Sequence, residues 1–201
     1  MFSHRFAQHV ANRYRKRGLD KTARRIADLI TRNGVQGATV LEVGGGVGEI
    51  QIELLKRGAV RATNLELSPA YETEAQRLLS EHGLTDRVER RMLDVAVDPD
   101  AVEPADIVVL HRVVCCYPDY VKLLTAVADH TRRQLVFSHP PRNTLSRALI
   151  AVQNLLFRMS RREFRVFAHP PAEMLGVLTS RGLRTDTTLR RRLWQIASAV
   201  R

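Results

Sequence analysis

Apolar and polar positions alternate along the chain in blocks that predict a repeating order of strands and helices. Short apolar runs rich in β-branched residues are typical of buried strands. They occupy five segments: residues 39–43, 59–66, 87–93, 105–110 and 134–138. Between these runs, apolar residues recur every three to four positions, as in amphipathic helices. This alternation predicts an α/β fold with a parallel sheet.

Two helices are predicted ahead of the first strand. The first covers residues 3–17 and carries an apolar stripe of Phe2, Phe6, Val10 and Tyr14. Asp20 suits the N-cap of the second, which Asn33-Gly34 ends. We expect residues 1–35 to form N-terminal helices, with Tyr14 either packed in the core or part of a lid.

The chain after the fifth strand follows a different pattern. Residues 144–159 keep strict i, i+4, i+7 apolar spacing and predict an inserted amphipathic helix. A further helix starts at Pro170-Pro171, and residues 183–189 and 192–200 predict an antiparallel hairpin with Arg190-Arg191 at its turn. We interpret residues 1–201 as one domain, in which residues 36–139 form the ligand-binding half and residues 140–201 a substrate-side half.

Four glycines, Gly44, Gly45, Gly46 and Gly48, follow the first strand. Glycine is needed where backbone must approach a ligand closely or adopt positive φ. Strand, glycine turn and helix form the opening unit of a doubly wound sheet, whose ligand lies at the carboxyl end of the strand. Glu49 stands where the dinucleotide pattern G-x-G-x-x-G needs its third glycine, which disfavours a nicotinamide dehydrogenase.

The pattern E-x-G-x-G-x-G, from Glu42 to Gly48, resembles motif I of the class I S-adenosylmethionine (SAM)-dependent methyltransferases. The resemblance implies SAM as cofactor and a Rossmann-like, doubly wound sheet of seven strands with an antiparallel last strand. It also implies that Glu42 lies near the amino-acid end of SAM, whose ammonium and sulfonium favour a nearby carboxylate. The region from Tyr117 to the helix start at His169 is loosely similar to magnesium-protoporphyrin and ubiquinone-type O-methyltransferases.

Two further acids follow successive strands. Glu66 lies eighteen residues after Gly48, close to the offset of about 20 residues expected for a carboxylate that binds a ribose hydroxyl pair. Asp94, with Val95 after it, matches the family position that accepts a hydrogen bond from the adenine amino group. Alone, each acid could be a strand end or a turn residue. With Glu42 they predict a cofactor site that also includes Leu67.

Histidines follow the fourth and fifth strands. His111 lies near the topological switch point between the first and fourth strands, so we expect it and Arg112 to face the cofactor. The unperturbed pKa of His suits a general base near neutral pH, which makes His111 and His139 the leading catalytic candidates. Tyr117 and His169 are reserves. The alternative for His111 is contact with the methionine portion of SAM, and some family members use no base.

Composition bounds the location and the partners. The sequence has no run of eighteen apolar residues, and its start lacks the apolar region of a secretory signal. Cys115 and Cys116 are adjacent, which gives neither a disulfide framework nor a metal-ligand spacing. We therefore expect a cytoplasmic protein without stable membrane insertion and without a bound metal.

The net charge of +11 is unevenly distributed: residues 1–40 carry nine Lys/Arg against two Asp/Glu, residues 41–130 nine against sixteen, and residues 131–201 fourteen against three. The basic ends are either solvated helix faces or a rim for an anionic substrate.

The leading hypothesis is methyl transfer to a small-molecule acceptor, at an oxygen. The alternatives are a nucleic-acid methyltransferase, disfavoured because few aromatics accompany the arginines, and a non-catalytic SAM-binding module. The predicted helix at 144–159 is flanked by Arg161 and Arg162. Its role stays open between substrate covering, core packing and membrane-surface docking.

Overall fold

The computed structural model describes residues 3–160, 164–189 and 194–201. Its strands are β1 (Thr39–Val43), β2 (Arg61–Leu65), β3 (Val88–Arg91), β4 (Ala105–Leu110), β5 (Thr131–His139), β6 (Arg184–Leu189) and β7 (Gln195–Val200). Its helices are α1 (His4–Arg17), α2 (Lys21–Arg32), α3 (Glu49–Lys56), α4 (Glu72–Glu81), α5 (Tyr120–Asp129), α6 (Thr144–Met159) and α7 (Pro171–Ser180). Five positions with predicted roles lie outside the described residues: Phe2, Arg161, Arg162 and the turn Arg190-Arg191. The first residue of the predicted last strand, Arg192, lies outside them as well.

The strands form one seven-stranded sheet in the order β3-β2-β1-β4-β5-β7-β6. The first five are parallel, and β7 runs antiparallel to both β5 and β6. This topology confirms the predicted Rossmann-like fold with a reversed last strand. Val43 pairs with both Leu65 and Leu110, so β1, β2 and β4 end at one edge of the sheet. The segments that follow these strands therefore meet there.

Helices cover both faces of the sheet. The alternating side chains of a strand point to opposite faces, and the two cores show this directly. Val40 and Ile107 pack with α1 to α4 in one cluster, whereas Leu41 and Val108 pack with α5 and α7 in the other. The apolar runs of β1 and β4 are continuous because both faces of a central parallel strand are buried.

Several element ends differ from the expectation. The second and third strands are shorter than the predicted ranges, and Trp194 precedes β7 instead of lying in it. The fifth strand is longer and begins at Thr131, which pairs with Ala105 although the exposed Arg132 and Arg133 interrupt the apolar pattern. The segment after β2 first forms a single 3-10 turn, Pro69–Tyr71, and α4 begins only at Glu72.

The buried face of α1 is not the predicted stripe. Its small residues Ala7 and Ala11 pack against the core with Tyr14, and Phe6 is 45% exposed. The alanines allow close approach of α1 to the neighbouring helix, which turns Phe6 outward. The Tyr14 hydroxyl donates a hydrogen bond to Glu53 at 2.6 Å, so Tyr14 takes the packing alternative and not that of a lid residue.

The inserted helix α6 has the predicted bounds, Thr144–Met159, but none of its residues is buried. Its apolar stripe faces outward, which removes the core-packing alternative for that stripe. Across the part of the chain that the structure describes, no helix combines the length and apolar character needed to cross a membrane.

Candidate active site

A cavity of about 640 Å³ opens at the carboxyl ends of β1, β2 and β4. It lies at the edge where the strand register brings these three ends together. The predicted site residues on its lining are Glu42, Gly44, Gly45, Gly46, Glu66, Leu67, Asp94, Val95, His111, Arg112 and Tyr117. Two predicted site residues, Gly48 and His139, are not on that lining.

Two glycines in the turn after β1 have distinct structural reasons. A Cβ on Gly45 would lie 2.2 Å from the Asn64 Nδ2 and 2.9 Å from the Glu42 side chain, both of which are buried. Gly48 has φ +84° and directly precedes α3, so it starts the helix in a left-handed conformation instead of lining the cavity. The turn therefore brings bare backbone against the cavity wall at Gly45.

Glu42 is almost fully buried at the end of β1, with 2% of its surface exposed. One carboxyl oxygen accepts a hydrogen bond from the backbone N–H of Gln51 at 3.1 Å. Burial raises the pKa of Glu42 to about 8, so its carboxyl is largely protonated near neutral pH without a cation beside it. A cation in the cavity would favour the ionised form.

Glu66 ties the end of β2 to the glycine turn. Its carboxylate accepts backbone hydrogen bonds from Gly46 at 2.9 Å and from Leu67 and Ser68 at 2.8 Å each. A carboxylate has about four acceptor positions, so capacity remains on the cavity side. The same side chain therefore shapes the turn and presents an acceptor to a ligand.

Asp94, after β3, accepts hydrogen bonds from the Ala96 backbone N–H and from the Tyr117 hydroxyl, each at 3.0 Å. Burial and the bond to Asp94 raise the pKa of Tyr117 to about 12. At neutral pH Tyr117 is thus a hydrogen-bond donor that orients Asp94. The expectation of Tyr117 as a reserve proton acceptor is not favoured by this geometry.

The imidazole of His111 lies on the cavity lining at the end of β4 and is largely buried. Its Nδ1 lies 2.9 Å from the Ser138 Oγ, and that oxygen already accepts the Arg112 backbone N–H at 2.9 Å. We therefore assign the Ser138 hydroxyl as donor to Nδ1, which leaves the hydrogen of the neutral ring on Nε2. Among the described residues Nε2 is buried and has no partner. Burial, reinforced by the Arg112 charge, lowers the pKa of His111 to about 3.

Arg112 adopts φ 61°, which non-glycine residues rarely do. Its guanidinium lies 2.8 Å from Asp20 and 5.2 Å from the ring centre of Trp194. The ion pair connects the end of β4 to the N-cap of α2, and the Arg112 backbone N–H donates to Ser138.

The remaining two histidine candidates lie elsewhere. His139 is 3% exposed, its Nδ1 lies 3.0 Å from the Pro140 carbonyl oxygen, and burial lowers its pKa. The His169 Nε2 lies 3.0 Å from the Tyr117 carbonyl oxygen. Neither is on the cavity lining.

The structure adds lining residues that the sequence reasoning missed. They come from α1, α3, the turn before α4 and the segment after α6: Phe6, His9, Val10, Arg13, Glu49, Tyr71 and Phe164. Arg13 bonds Glu49 at 2.8 Å, and burial raises the pKa of the Glu49 carboxyl. The other Glu49 oxygen is buried without a partner in the described chain. For α1, the sequence signal that could have revealed this was the apolar stripe that contains Phe6 and Val10.

These groups fit SAM. Two buried carboxyls, Glu42 and Glu49, face a space that suits an ammonium and a sulfonium, and the unpartnered Glu49 oxygen would gain a bond there. Glu66 and Asp94 present acceptors on the same cavity, where a ribose and an adenine amino group would need them. A doubly wound sheet with this set of groups at its switch point defines a class of Rossmann-like nucleoside-binding enzymes.

Residues 12–185 match a family model described as a methyltransferase domain. The chain therefore belongs to this methyltransferase-domain family. The match confirms the predicted enzyme class, a SAM-dependent methyltransferase, and with it the predicted cofactor. A search of curated proteins gave no match.

Solved structures support the same fold. A magnesium protoporphyrin IX methyltransferase from Synechocystis PCC 6803 with bound SAH is 21% identical, with a TM-score of 0.73, over 90% of this chain and 82% of that one. An O-methyltransferase family protein from Burkholderia thailandensis is 19% identical, with a TM-score of 0.75, over 98% and 60%. An O-methyltransferase family 2 protein from Planctomyces limnophilus DSM 3776 in complex with apigenin is 19% identical, with a TM-score of 0.72, over 100% and 62%. At these identities the likeness shows the fold.

Proposed function

We propose that the protein transfers the methyl group of SAM to an oxygen atom of a small-molecule acceptor in this cavity. The observation that carries the proposal is the convergence of Glu42, Glu66 and Asp94 on one cavity with the unpartnered Nε2 of His111. Two structural neighbours, a magnesium protoporphyrin IX methyltransferase and an O-methyltransferase family 2 protein in complex with apigenin, are named for small molecules, which supports the same substrate class. The predicted cytoplasmic location stays a prediction.

Each cofactor residue has a role in the proposal. Bound SAM would supply an electrophilic methyl group on a positively charged sulfur. Glu42 and Glu49 would lie beside the positive charges, Glu66 beside the ribose and Asp94 beside the adenine amino group. Val95, Leu67 and the glycine turn would contact the flat and apolar parts. Alignment of the acceptor with the methyl group supplies most of the catalysis in such a site.

His111 serves in this proposal as a hydrogen-bond donor and not as the predicted general base. A pKa of about 3 makes its imidazole a weak base. Its Nε2–H would donate to an oxygen of the bound acceptor or of the methionine carboxylate. We expect His111→Gln to lower turnover by about tenfold, the loss of one hydrogen bond to a charged group. A base would instead give a loss of about 100-fold or more together with a changed pH profile.

An acceptor that is already an oxyanion near neutral pH needs no base. Carboxylic acids and acidic phenols meet that condition, and the positive charges of Arg13 and Arg112 on the cavity lining suit them. His9 is the other imidazole on the described lining and is the competing base. A wild-type pH–rate profile that His9→Gln leaves unchanged supports the oxyanion acceptor. Loss of turnover in His9→Gln together with a changed pH–rate profile contradicts it.

The decisive experiment incubates the protein with methyl-labelled SAM and separate small-molecule and RNA fractions of the host. We expect label in the small-molecule fraction, and mild alkali distinguishes a hydrolysable methyl ester from an ether. Label in RNA would favour the nucleic-acid alternative, for which the basic chain ends are the only support. Binding of SAM without transfer to either fraction would favour the non-catalytic module.

Glu66→Ala is the variant that links this transfer to the assigned cavity. Removal of the carboxylate frees the amides of Gly46, Leu67 and Ser68 and takes away a ligand acceptor. We expect SAM affinity to fall by about 1–3 kcal/mol in calorimetry. Glu66→Gln, which keeps the shape, serves as the matched control for the charge. Unchanged affinity in both variants would remove the ribose assignment.

A further inference from the structure

The exposed apolar face of α6 has no counterpart in the rest of the described chain. Six large apolar side chains of this one helix are between 56% and 73% exposed: Leu145, Leu149, Val152, Leu155, Leu156 and Met159. They follow the helical repeat and form one continuous outer stripe about 20 Å long. Contiguous apolar surface of this kind marks an interaction site.

The orientation of α6 is fixed by its other side. The Asn154 side chain bonds both the N–H and the carbonyl oxygen of Val166, at 2.9 and 2.8 Å. The Phe157 ring packs edge-on against Phe164 at 5.5 Å between ring centres. These contacts turn Asn154 and Phe157 inward, so the leucine stripe is presented outward by the fold.

The charge around the stripe has one sign. No acidic residue occurs in α6, and Arg142, Arg147 and Arg158 are exposed and form no ion pair among the described residues. The segment 140–165 contains six arginines and one glutamate. By helical geometry, Arg147 and Arg158 lie roughly 150° and 130° from the middle of the stripe, on the polar face.

We infer that α6 docks on an anionic phospholipid surface, with its leucine stripe in the boundary between headgroups and acyl chains. An interfacial helix needs a narrow apolar face, basic residues on the polar face and long side chains that can reach back to the headgroups. The described part of α6 has each of these features. The inference goes beyond the methyl-transfer proposal and does not depend on it.

A second copy of the chain is a less suitable occupant of the stripe. Pairing two α6 faces would bring together two segments that each carry the same excess of arginine. Anionic headgroups neutralise that charge, whereas a second copy adds to it. The charge complementarity therefore selects the lipid surface.

Docking is tested by flotation of the full-length protein with vesicles of phosphatidylcholine, with and without phosphatidylglycerol. We expect wild type to float with the anionic vesicles and to be released at about 1 M salt, where the Debye length falls to about 3 Å. The variant Leu149→Gln/Leu156→Gln should bind on the order of tenfold more weakly, because it removes apolar area that enters the bilayer. Circular dichroism verifies that the variant folds.

Val60→Gln/Val121→Gln is the matched control, since both valines are about half exposed, at 51% and 46%, and lie outside α6. This control should float like wild type. Failure of wild type to float, or equal binding by the two double variants, overturns the proposal. A dimer that forms in size-exclusion chromatography and dissociates in the α6 variant, without vesicle binding, overturns it in favour of a second copy. SAM binding by the α6 variant is measured separately by calorimetry. A failed docking test therefore does not contradict the methyl-transfer proposal, which has its own experiment.

Discussion

The cofactor side of the cavity and the helix α6 are built in different ways. On the cofactor side, the glycine turn, Glu42 and Glu66 follow central strands and are held by backbone hydrogen bonds. By contrast, α6 has no buried residue, contributes none to the described cavity lining and is attached mainly through Asn154 and Phe157.

This difference separates two tasks. The cofactor side can place its ligand accurately because each group is fixed by the sheet. Helix α6 can change its outer surface with little cost to the fold, since none of its residues is buried. Substitutions on the cofactor side should therefore affect stability and cofactor affinity, whereas substitutions in α6 should affect surface interactions.

The largest expected effect is that of Gly45→Ala. The new methyl group would lie 2.2 Å from the Asn64 amide nitrogen, and Asn64 is fully buried between the turn and α3. The amide cannot move away without losing its buried hydrogen bond to Gln51. We expect a loss of about 3 kcal/mol or more in unfolding free energy or in SAM binding, measured by denaturant titration and calorimetry.

Gly176→Ala is the matched control, because a Cβ at that position in α7 meets no atom within 4 Å. Alanine in a helix interior is favoured over glycine by roughly 0.5–1 kcal/mol, so this variant should be slightly more stable than wild type. Equal destabilisation by the two substitutions would show that the glycine turn is not the rigid element described.

The next effect concerns the buried Glu42. In the folded state its pKa is raised to about 8, whereas the unfolded chain has the ordinary value near 4.5. The folded state therefore holds an extra proton between these values, and its stability falls as the pH rises towards 8. Between pH 6 and pH 9 this single group should cost about 3 kcal/mol of unfolding free energy in the absence of ligand.

Glu42→Gln provides the test, since glutamine keeps the shape and cannot ionise. The difference between wild type and Glu42→Gln in denaturant titrations should grow over this pH range, in favour of the variant. SAM, which carries positive charge, should bind wild type with release of a proton near pH 7, detectable by calorimetry in buffers of different ionisation enthalpy. Parallel pH profiles of the two proteins would contradict the raised pKa.

Much of this cofactor side could be predicted from the sequence. The apolar runs of β1 and β4 have the structural bounds because central parallel strands are buried on both faces and their composition shows it. Glu66 and Asp94 could be placed because parallel strands end at one edge of the sheet. These are local patterns, which a single sequence contains.

Other features depend on contacts between distant segments. The face of α1 that packs on the core could not be chosen, because Ala7 and Ala11 give a weaker apolar signal than Phe6. The low pKa of His111 comes from burial and from Arg112, and its tautomer comes from Ser138 on the neighbouring strand. The Tyr117 hydroxyl bonds Asp94 from another loop. None of these pairings has a signature in the residue spacing.

The smallest expected effect is that of Leu149→Ala in α6. Leu149 is 59% exposed in α6, whereas Leu178 in α7, from the same half of the chain, is 1% exposed. The same substitution at Leu178 leaves a cavity and should cost about 2–5 kcal/mol of unfolding free energy. At Leu149 we expect a change within about 0.5 kcal/mol in the absence of lipid, measured in the same denaturant titration. A cost at Leu149 above about 1 kcal/mol that grows with protein concentration would mean that a second copy covers the stripe. The contrast between the cofactor side and α6 would then hold only for the monomer.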